Sequence, residues 1–190
     1  MNIPMNFDIK PAGEISGKFL ELNLKSFTEA VQFVEQLPYR RNTDKNNLST
    51  VFTDGCGTCS TKHALLKQLA DENTFKGLQL VLCIFRMNGM NTPKVAVTLD
   101  KYGLDYIPEA HNYLKYLGEI CDHTGPGFDP ATYRSDILLE IEIQPSQITD
   151  FKVAYHKDFL KTWLAGNPSV PYSPDELWVI REQCIGDLAR

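Results

Sequence analysis

Apolar side chains recur every three or four residues in two stretches of the first half of the chain. The first stretch covers residues 27–37 and follows Ser26-Phe27-Thr28-Glu29, which has the form of a helix capping box. The second covers residues 59–72, and its predicted buried positions are Ala64, Leu65, Leu66, Leu69 and Ala70. This spacing predicts an α-helix over each stretch.

Other stretches have the pattern of β-strands. Residues 80–85 are apolar without a break, which predicts a central strand covered on both faces. Residues 110–124 alternate around Gly118 and predict a hairpin, and residues 137–143 alternate as a strand with one wet face. Residues 17–24 are predicted to form a short edge strand.

The last quarter of the chain returns to helical patterns. A short helix is predicted over residues 157–165, and Ser173-Pro174-Asp175-Glu176 has the signals of a helix start. Helices followed by an antiparallel sheet and further helices define the α+β class. We expect one domain over residues 1–190, with a core at about 26–145 and a C-terminal helical extension at about 150–190.

Composition narrows the function classes. The 190 residues are 43% hydrophobic and carry a net charge of −5, with no basic run longer than Arg40-Arg41. A nucleic-acid partner is not expected, because affinity for phosphate backbones requires clustered basic side chains. The longest apolar run, at residues 78–85, is too short to span a bilayer, so no membrane partner is expected.

Cysteine usage suggests a reducing compartment. The N-terminal MNIPMNFDIKPAGEIS has neither a basic start nor an apolar core, so we expect no signal peptide. The five cysteines are Cys56, Cys59, Cys83, Cys121 and Cys184. An odd number without a secretory signal favours free thiols and a cytoplasmic location.

Cys59 has the position of a reactive thiol. A thiol in the first turn of a helix lies among backbone N–H groups and at the positive end of the helix dipole, which stabilise a thiolate. Small residues surround it, namely Gly55, Gly57, Thr58 and Ser60. They would let a substrate carbonyl approach the backbone, whose N–H groups could receive the charge of an acyl-transfer transition state.

A cysteine nucleophile also needs a base and a group that orients the base. His111 opens the predicted hairpin and Asp122 lies on the return strand. If Leu117 and Gly118 form a two-residue turn, Asp122 faces Tyr113 and His111 is its diagonal neighbour, within reach of a carboxylate. A turn one residue later would move Asp122 two positions further from His111.

Three motifs resemble a known family. They are Gly57-Thr58-Cys59 followed by Ala64, then His111 at a strand start, then Asp122-His123-Thr124. Over residues 26–125 they resemble the transglutaminase-like branch of the papain-type cysteine enzymes. That branch includes transglutaminases, related bacterial proteases and peptide N-glycanases.

The resemblance implies a papain/transglutaminase-like core and a Cys-His-Asp triad. Cys59 would be the nucleophile, His111 the general base and acid, and Asp122 the group that orients the imidazole. The implied function is acyl chemistry on an amide of a peptide or protein through a thioester, either protease- or amidase-like hydrolysis or transfer to an amine. It implies no metal ion and no organic cofactor.

Three alternatives stay open. Cys56 and Cys59 form a C-x-x-C motif, which would suit a thioredoxin-like dithiol oxidoreductase. The same two cysteines with Cys121 and His123 have the residue types of a zinc site. Asp-His-Thr replaces the family's common Asp-Pro-Thr, and a frequent tryptophan is absent, which would suit a catalytically inactive binding module.

The remaining cysteines and histidines have structural interpretations. Cys83 and Cys184 lie in apolar patterns and are predicted to be small core residues. His63 is interpreted as a core or surface histidine and His156 as a surface or cap residue.

Overall fold

A computed structural model describes residues 5–188 of the chain. The described part contains seven α-helices and four β-strands. The helices are α1 (Glu14–Glu21), α2 (Phe27–Gln36), α3 (Thr50–Thr53), α4 (Cys59–Glu72), α5 (Ala96–Lys101), α6 (Asp150–Gly166) and α7 (Pro174–Leu188). The strands are β1 (Leu78–Met87), β2 (Ile107–Tyr116), β3 (Glu119–Cys121) and β4 (Ile137–Ile143). The predicted α+β class is confirmed.

The strands form one antiparallel sheet in the order β3-β2-β1-β4. The hairpin between β2 and β3 closes with Tyr116 opposite Glu119. Its two turn residues, Leu117 and Gly118, have φ angles of 51° and 86°. Two consecutive positive φ angles are typical of a two-residue turn that suits the right-handed twist of the strands. Because the turn residues are Leu117 and Gly118, the hairpin has the earlier of the two turns considered from the sequence.

The chain divides into two compact units. Unit 1 contains the described residues up to Leu82, with Asn112–Pro130 and Ile141–Thr149. Unit 2 contains Cys83–His111, Ala131–Glu140 and the described residues from Asp150 onwards. The assignment of residues 1–190 to one domain stays a prediction.

Helix α4 is the buried helix of unit 1. Its five predicted core positions, Ala64, Leu65, Leu66, Leu69 and Ala70, are all inaccessible to solvent. Helix α2 begins as predicted, with the Ser26 N–H donating to Glu29 Oε2 at 2.8 Å and the Glu29 N–H donating to Ser26 Oγ at 3.3 Å. Both helices therefore follow the local sequence pattern.

The strand predicted over residues 17–24 is wrong, because most of this stretch belongs to α1. The Glu72 carboxylate accepts hydrogen bonds from the N–H groups of Ile15 at 3.1 Å and Ser16 at 2.7 Å. Ile15 and Phe19, one helical turn apart, are buried on the same side of α1. The residue that caps this helix is more than 50 positions away in the sequence, so no local pattern indicates it.

A buried ion pair connects β2 and α7 in unit 2. Arg181 Nε lies 2.8 Å from Glu109 Oε2, and its Nη2 lies 2.5 Å from Glu109 Oε1. Burial alone would raise the pKa of Glu109, but Arg181, together with His156 and Lys152, outweighs burial and holds the pKa below its ordinary value. The pair is bidentate, and both of its charged groups are largely buried within unit 2.

His156 is not the surface or cap residue that was predicted. It is 1% exposed, its Nε2 lies 2.8 Å from the Pro108 carbonyl oxygen, and its ring contacts Trp178 edge-on. Burial lowers its pKa. Cys83 and Cys184 are fully buried, as predicted.

No helix among residues 5–188 combines the length and the apolar character that crossing a membrane requires.

Removing one partner of the Glu109–Arg181 pair is expected to cost more than removing both. Arg181→Met leaves the Glu109 carboxylate buried without its counter-charge, which should lower the free energy of unfolding by about 3–5 kcal/mol. The double variant Glu109→Leu/Arg181→Met should lose clearly less. Urea unfolding of the two single variants and the double variant measures the coupling, and additive losses would contradict the prediction.

Candidate functional site

Cys59 is the first residue of α4, as the sequence predicts, and its surroundings in unit 1 are tightly held. Thr58 before it is extended, and its N–H donates to Thr61 Oγ1 at 3.0 Å. Thr61 Oγ1 in turn donates to Asn42 Oδ1 at 2.7 Å. These contacts hold the residues on either side of Cys59, and Cys59 itself is 6% exposed.

The loop before Cys59 runs beside the segment that follows α2. The Gly57 N–H donates to the Pro38 carbonyl at 3.1 Å, and the Arg40 N–H donates to the Gly57 carbonyl at 3.2 Å. A Cβ atom on Gly57 would lie 2.9 Å from Lys62 Cγ. This position therefore requires glycine, because the lysine stem passes against its backbone.

Lys62 is buried completely. Its Nζ donates to two backbone carbonyls, those of Leu37 at 2.5 Å and Thr124 at 2.7 Å. Burial lowers the pKa of Lys62 to about 8. The nearby charges that partly oppose this effect belong to Glu35, Cys56, Cys59 and Asp122.

Sequence reasoning did not single out Lys62, although a signal was present. Lys62 follows Cys59 by three positions and precedes Leu66 by four, so it lies on the apolar side of a helix predicted to be buried. A lysine at such a position is rarely buried unless its ammonium has specific partners.

His63 joins the first turn of α4 to the segment after β3. Its Nδ1 lies 2.7 Å from the Cys59 carbonyl oxygen, and its Nε2 accepts the His123 N–H at 2.7 Å. Because Nε2 accepts a backbone N–H, the ring proton is on Nδ1 and donates to Cys59. Both ring nitrogens are thus engaged, and His63 is a buried structural residue, one of the two roles predicted for it.

Asp122 lies beside α4 in unit 1. The hairpin register is the one in which Asp122 would follow opposite Tyr113, although β3 itself ends at Cys121. Asp122 Oδ1 accepts the Thr124 N–H at 3.0 Å and the Thr124 hydroxyl at 2.6 Å, and it lies 3.5 Å from His63 Nε2. The structure therefore brings Asp122 to the helix that begins with Cys59.

His111 is the last residue of its unit 2 segment, within β2. Its ring packs edge-on against Phe85, at 6.0 Å between centroids, and against Tyr133, at 5.5 Å. The residue is 9% exposed. Two aromatic neighbours restrict the orientation of the imidazole.

Asn112, which follows His111, is a buried residue of unit 1 whose side chain bonds two elements. Sequence reasoning did not predict this role. Its Oδ1 accepts the Ser60 hydroxyl at 3.0 Å and its Nδ2 donates to the Val81 carbonyl at 3.0 Å. One fully buried amide thus ties the first turn of α4 to β1.

The zinc alternative finds no cluster to support it. Within residues 5–188, no three His, Cys, Asp or Glu side chains are grouped as a metal site requires. His123, one of the four residues considered, directs its Nδ1 to Glu35 Oε1 at 2.7 Å.

The thioredoxin-like dithiol alternative requires a strand that leads into the C-x-x-C motif. The element before the C-x-x-C motif is the short helix α3, whereas a thioredoxin-like fold has a strand there. Cys56 is buried, and its sulfur raises the pKa of Arg40 through a side-chain hydrogen bond. None of the five cysteines is in a disulfide.

Comparison with known proteins returns no relative: no protein-family model, curated protein or solved structure matches the chain. The likeness to transglutaminase-like enzymes stays a prediction from the motifs at Cys59, His111 and Asp122.

We expect Gly57→Ala to destabilise the protein by about 1–3 kcal/mol, because the added methyl group meets the Lys62 stem at 2.9 Å. Gly17→Ala is the matched control: a Cβ atom there meets nothing within 4 Å, and alanine in α1 should stabilise by about 0.5–1 kcal/mol. Thermal unfolding of both variants checks the signs. Equal effects would show that Gly57 is not a close-approach position.

The stability of the protein should rise with pH because of Lys62. Its pKa is about 8 in the folded chain, below the ordinary 10.5, so between these values the unfolded chain binds the additional proton. The difference in unfolding free energy between wild type and Lys62→Met should therefore grow by about 3 kcal/mol in favour of wild type from pH 8 to pH 10.5. Urea unfolding across this range measures it, and a difference that does not change with pH would contradict the prediction.

Proposed function

We propose that this protein is a cysteine hydrolase or acyltransferase of the transglutaminase-like type that acts on an amide bond of a peptide or protein. Cys59 is the nucleophile, His111 the general base and acid, and Asp122 the carboxylate that orients the imidazole. Hydrolysis is the favoured outcome, since no motif in the sequence indicates a site for an acceptor amine. The free cysteines support a cytoplasmic location as part of this proposal.

The observation that carries the proposal is the placement of Cys59. Its thiol lies in the first turn of a 14-residue helix, behind an extended Thr58 and beside a glycine whose backbone is tightly approached. The N–H groups that begin any α-helix point away from its carbonyls, toward the space in front of the first turn. An acyl oxygen bound there would receive hydrogen bonds as negative charge develops on it.

The reaction follows from these roles. His111 takes the proton of the Cys59 thiol, and the sulfur attacks the amide carbon. The carbon–nitrogen bond then breaks, the amine leaves with the proton from His111, and a thioester remains on Cys59. Water, deprotonated by His111, attacks the thioester, which releases a carboxylic acid and restores the thiol.

The distinguishing experiment is a rate comparison among the five cysteines. Iodoacetamide should label Cys59 at least about tenfold faster than the buried Cys83, because only a thiolate attacks at an appreciable rate. His111→Ala and His111→Gln should remove this preference, whereas Cys56→Ala should keep it. Peptide mass spectrometry after a short exposure gives each rate.

A second measurement tests acyl transfer itself. Incubation with a casein digest followed by hydroxylamine should release hydroxamates from wild type and from Cys56→Ala, but not from Cys59→Ala. Fastest labelling at Cys56 with a reversible Cys56–Cys59 disulfide would instead support dithiol chemistry. Equal labelling of Cys59 and Cys83 would support an inactive binding module.

A further inference from the structure

We infer that Lys62 is the counter-cation of Cys59: its buried ammonium holds the sulfur in the thiolate form that attacks the substrate. This inference rests on the proposed function, since it explains how the proposed nucleophile would be activated. Neither the motifs of the sequence nor the predicted triad includes Lys62.

Lys62 lies about one helical turn after Cys59 on α4. Residues three apart on a helix lie on the same side, so Lys62 and Cys59 share one side of α4. Because Gly57 has no side chain, the methylene groups of Lys62 can pack against its backbone. Two of the three ammonium donors are taken by the carbonyls of Leu37 and Thr124, and the third has no hydrogen-bond partner among the described residues.

The charged groups that act on the ammonium come from four places in unit 1. They are Glu35 on α2, Cys56 in the loop before α4, Cys59 on α4 itself and Asp122 after β3. Each of them favours the charged lysine. Glu35 is already bonded to His123 and Asp122 to Thr124, so these two carboxylates have other hydrogen-bond partners.

The two cysteines of the C-x-x-C motif differ in the cations around them. Arg40 is exposed and hydrogen-bonds the Cys56 sulfur, so Cys56 has a solvent-screened partner of its own. Lys62 has no solvent contact, and a buried charge acts more strongly on a neighbouring thiol than an exposed one. The charge of Lys62 interacts with both sulfurs, that of Cys56 included. Because Cys56 also has Arg40, and because Lys62 shares one side of α4 with Cys59, we assign Lys62 to Cys59.

The direct test is the pH dependence of Cys59 alkylation in two lysine variants. Lys62→Met should raise the apparent pKa of the Cys59 thiol by about one unit or more, which lowers its labelling rate near neutral pH by about tenfold. Lys67→Met is the matched control, because Lys67 lies on the same helix but pairs with Asp71. It should leave the Cys59 titration unchanged, and an unchanged titration in Lys62→Met would overturn the inference.

A reciprocal measurement does not depend on whether Lys62→Met folds. If the ammonium stabilises the thiolate, the thiolate stabilises the ammonium by the same free energy. NMR titration of the Lys62 side chain should therefore give a lower pKa in Cys59→Ala than in wild type, where it is about 8. Cys121→Ala, which removes a thiol that is not among the neighbours of Lys62, should leave this pKa unchanged; equal values in all three proteins would overturn the inference.

The two proposals fail separately. Absence of hydroxamate release together with a Lys62-dependent Cys59 titration would reject the acyl chemistry and keep the ion pair. Release from wild type together with an unaltered titration in Lys62→Met would keep the acyl chemistry and reject Lys62 as the counter-cation.

Discussion

The arrangement of unit 1 depends on a single buried ammonium. A lysine without solvent contact is costly unless its charge is solvated by the protein, and Lys62 obtains this from the carbonyls of Leu37 and Thr124. One carbonyl ends α2 and the other follows β3, so the same charge holds both segments against the first turn of α4. The Lys62 ammonium thus contributes to the position of both segments beside Cys59.

A second set of buried polar contacts, made by His63 and Asn112, also holds the first turns of α4. The His63 imidazole spans from the Cys59 carbonyl to the His123 N–H, and Asn112 binds the Ser60 hydroxyl. These contacts show how the polar side chains in the first two turns of α4 can be buried. A buried polar network that is satisfied specifies one arrangement, because any displacement leaves donors or acceptors without partners.

Unit 2 buries a cation in a different way. Arg181 faces the Glu109 carboxylate, whereas Lys62 faces two neutral carbonyls. Burial disfavours both charges. Glu109 and Glu182 together outweigh burial and raise the pKa of Arg181, whereas the surroundings of Lys62 do not outweigh it and the pKa of Lys62 falls to about 8. The arginine is therefore a permanent ion pair, and the lysine is a charge that its neighbours can modulate.

Local patterns in the amino-acid sequence determined α2, α4, α7 and the hairpin turn at Leu117 and Gly118, because caps, apolar spacing and turn chemistry act within a few residues. They also determined that Cys59 begins a helix. Tertiary structure decided the rest. Helix α1 forms where a strand was predicted because Glu72 caps it. His156 is buried because it contacts the Pro108 carbonyl and the Trp178 ring. The carbonyls that accept from Lys62 lie 25 residues before it and 62 residues after it in the sequence. Contacts between residues so far apart cannot be predicted from a local sequence pattern.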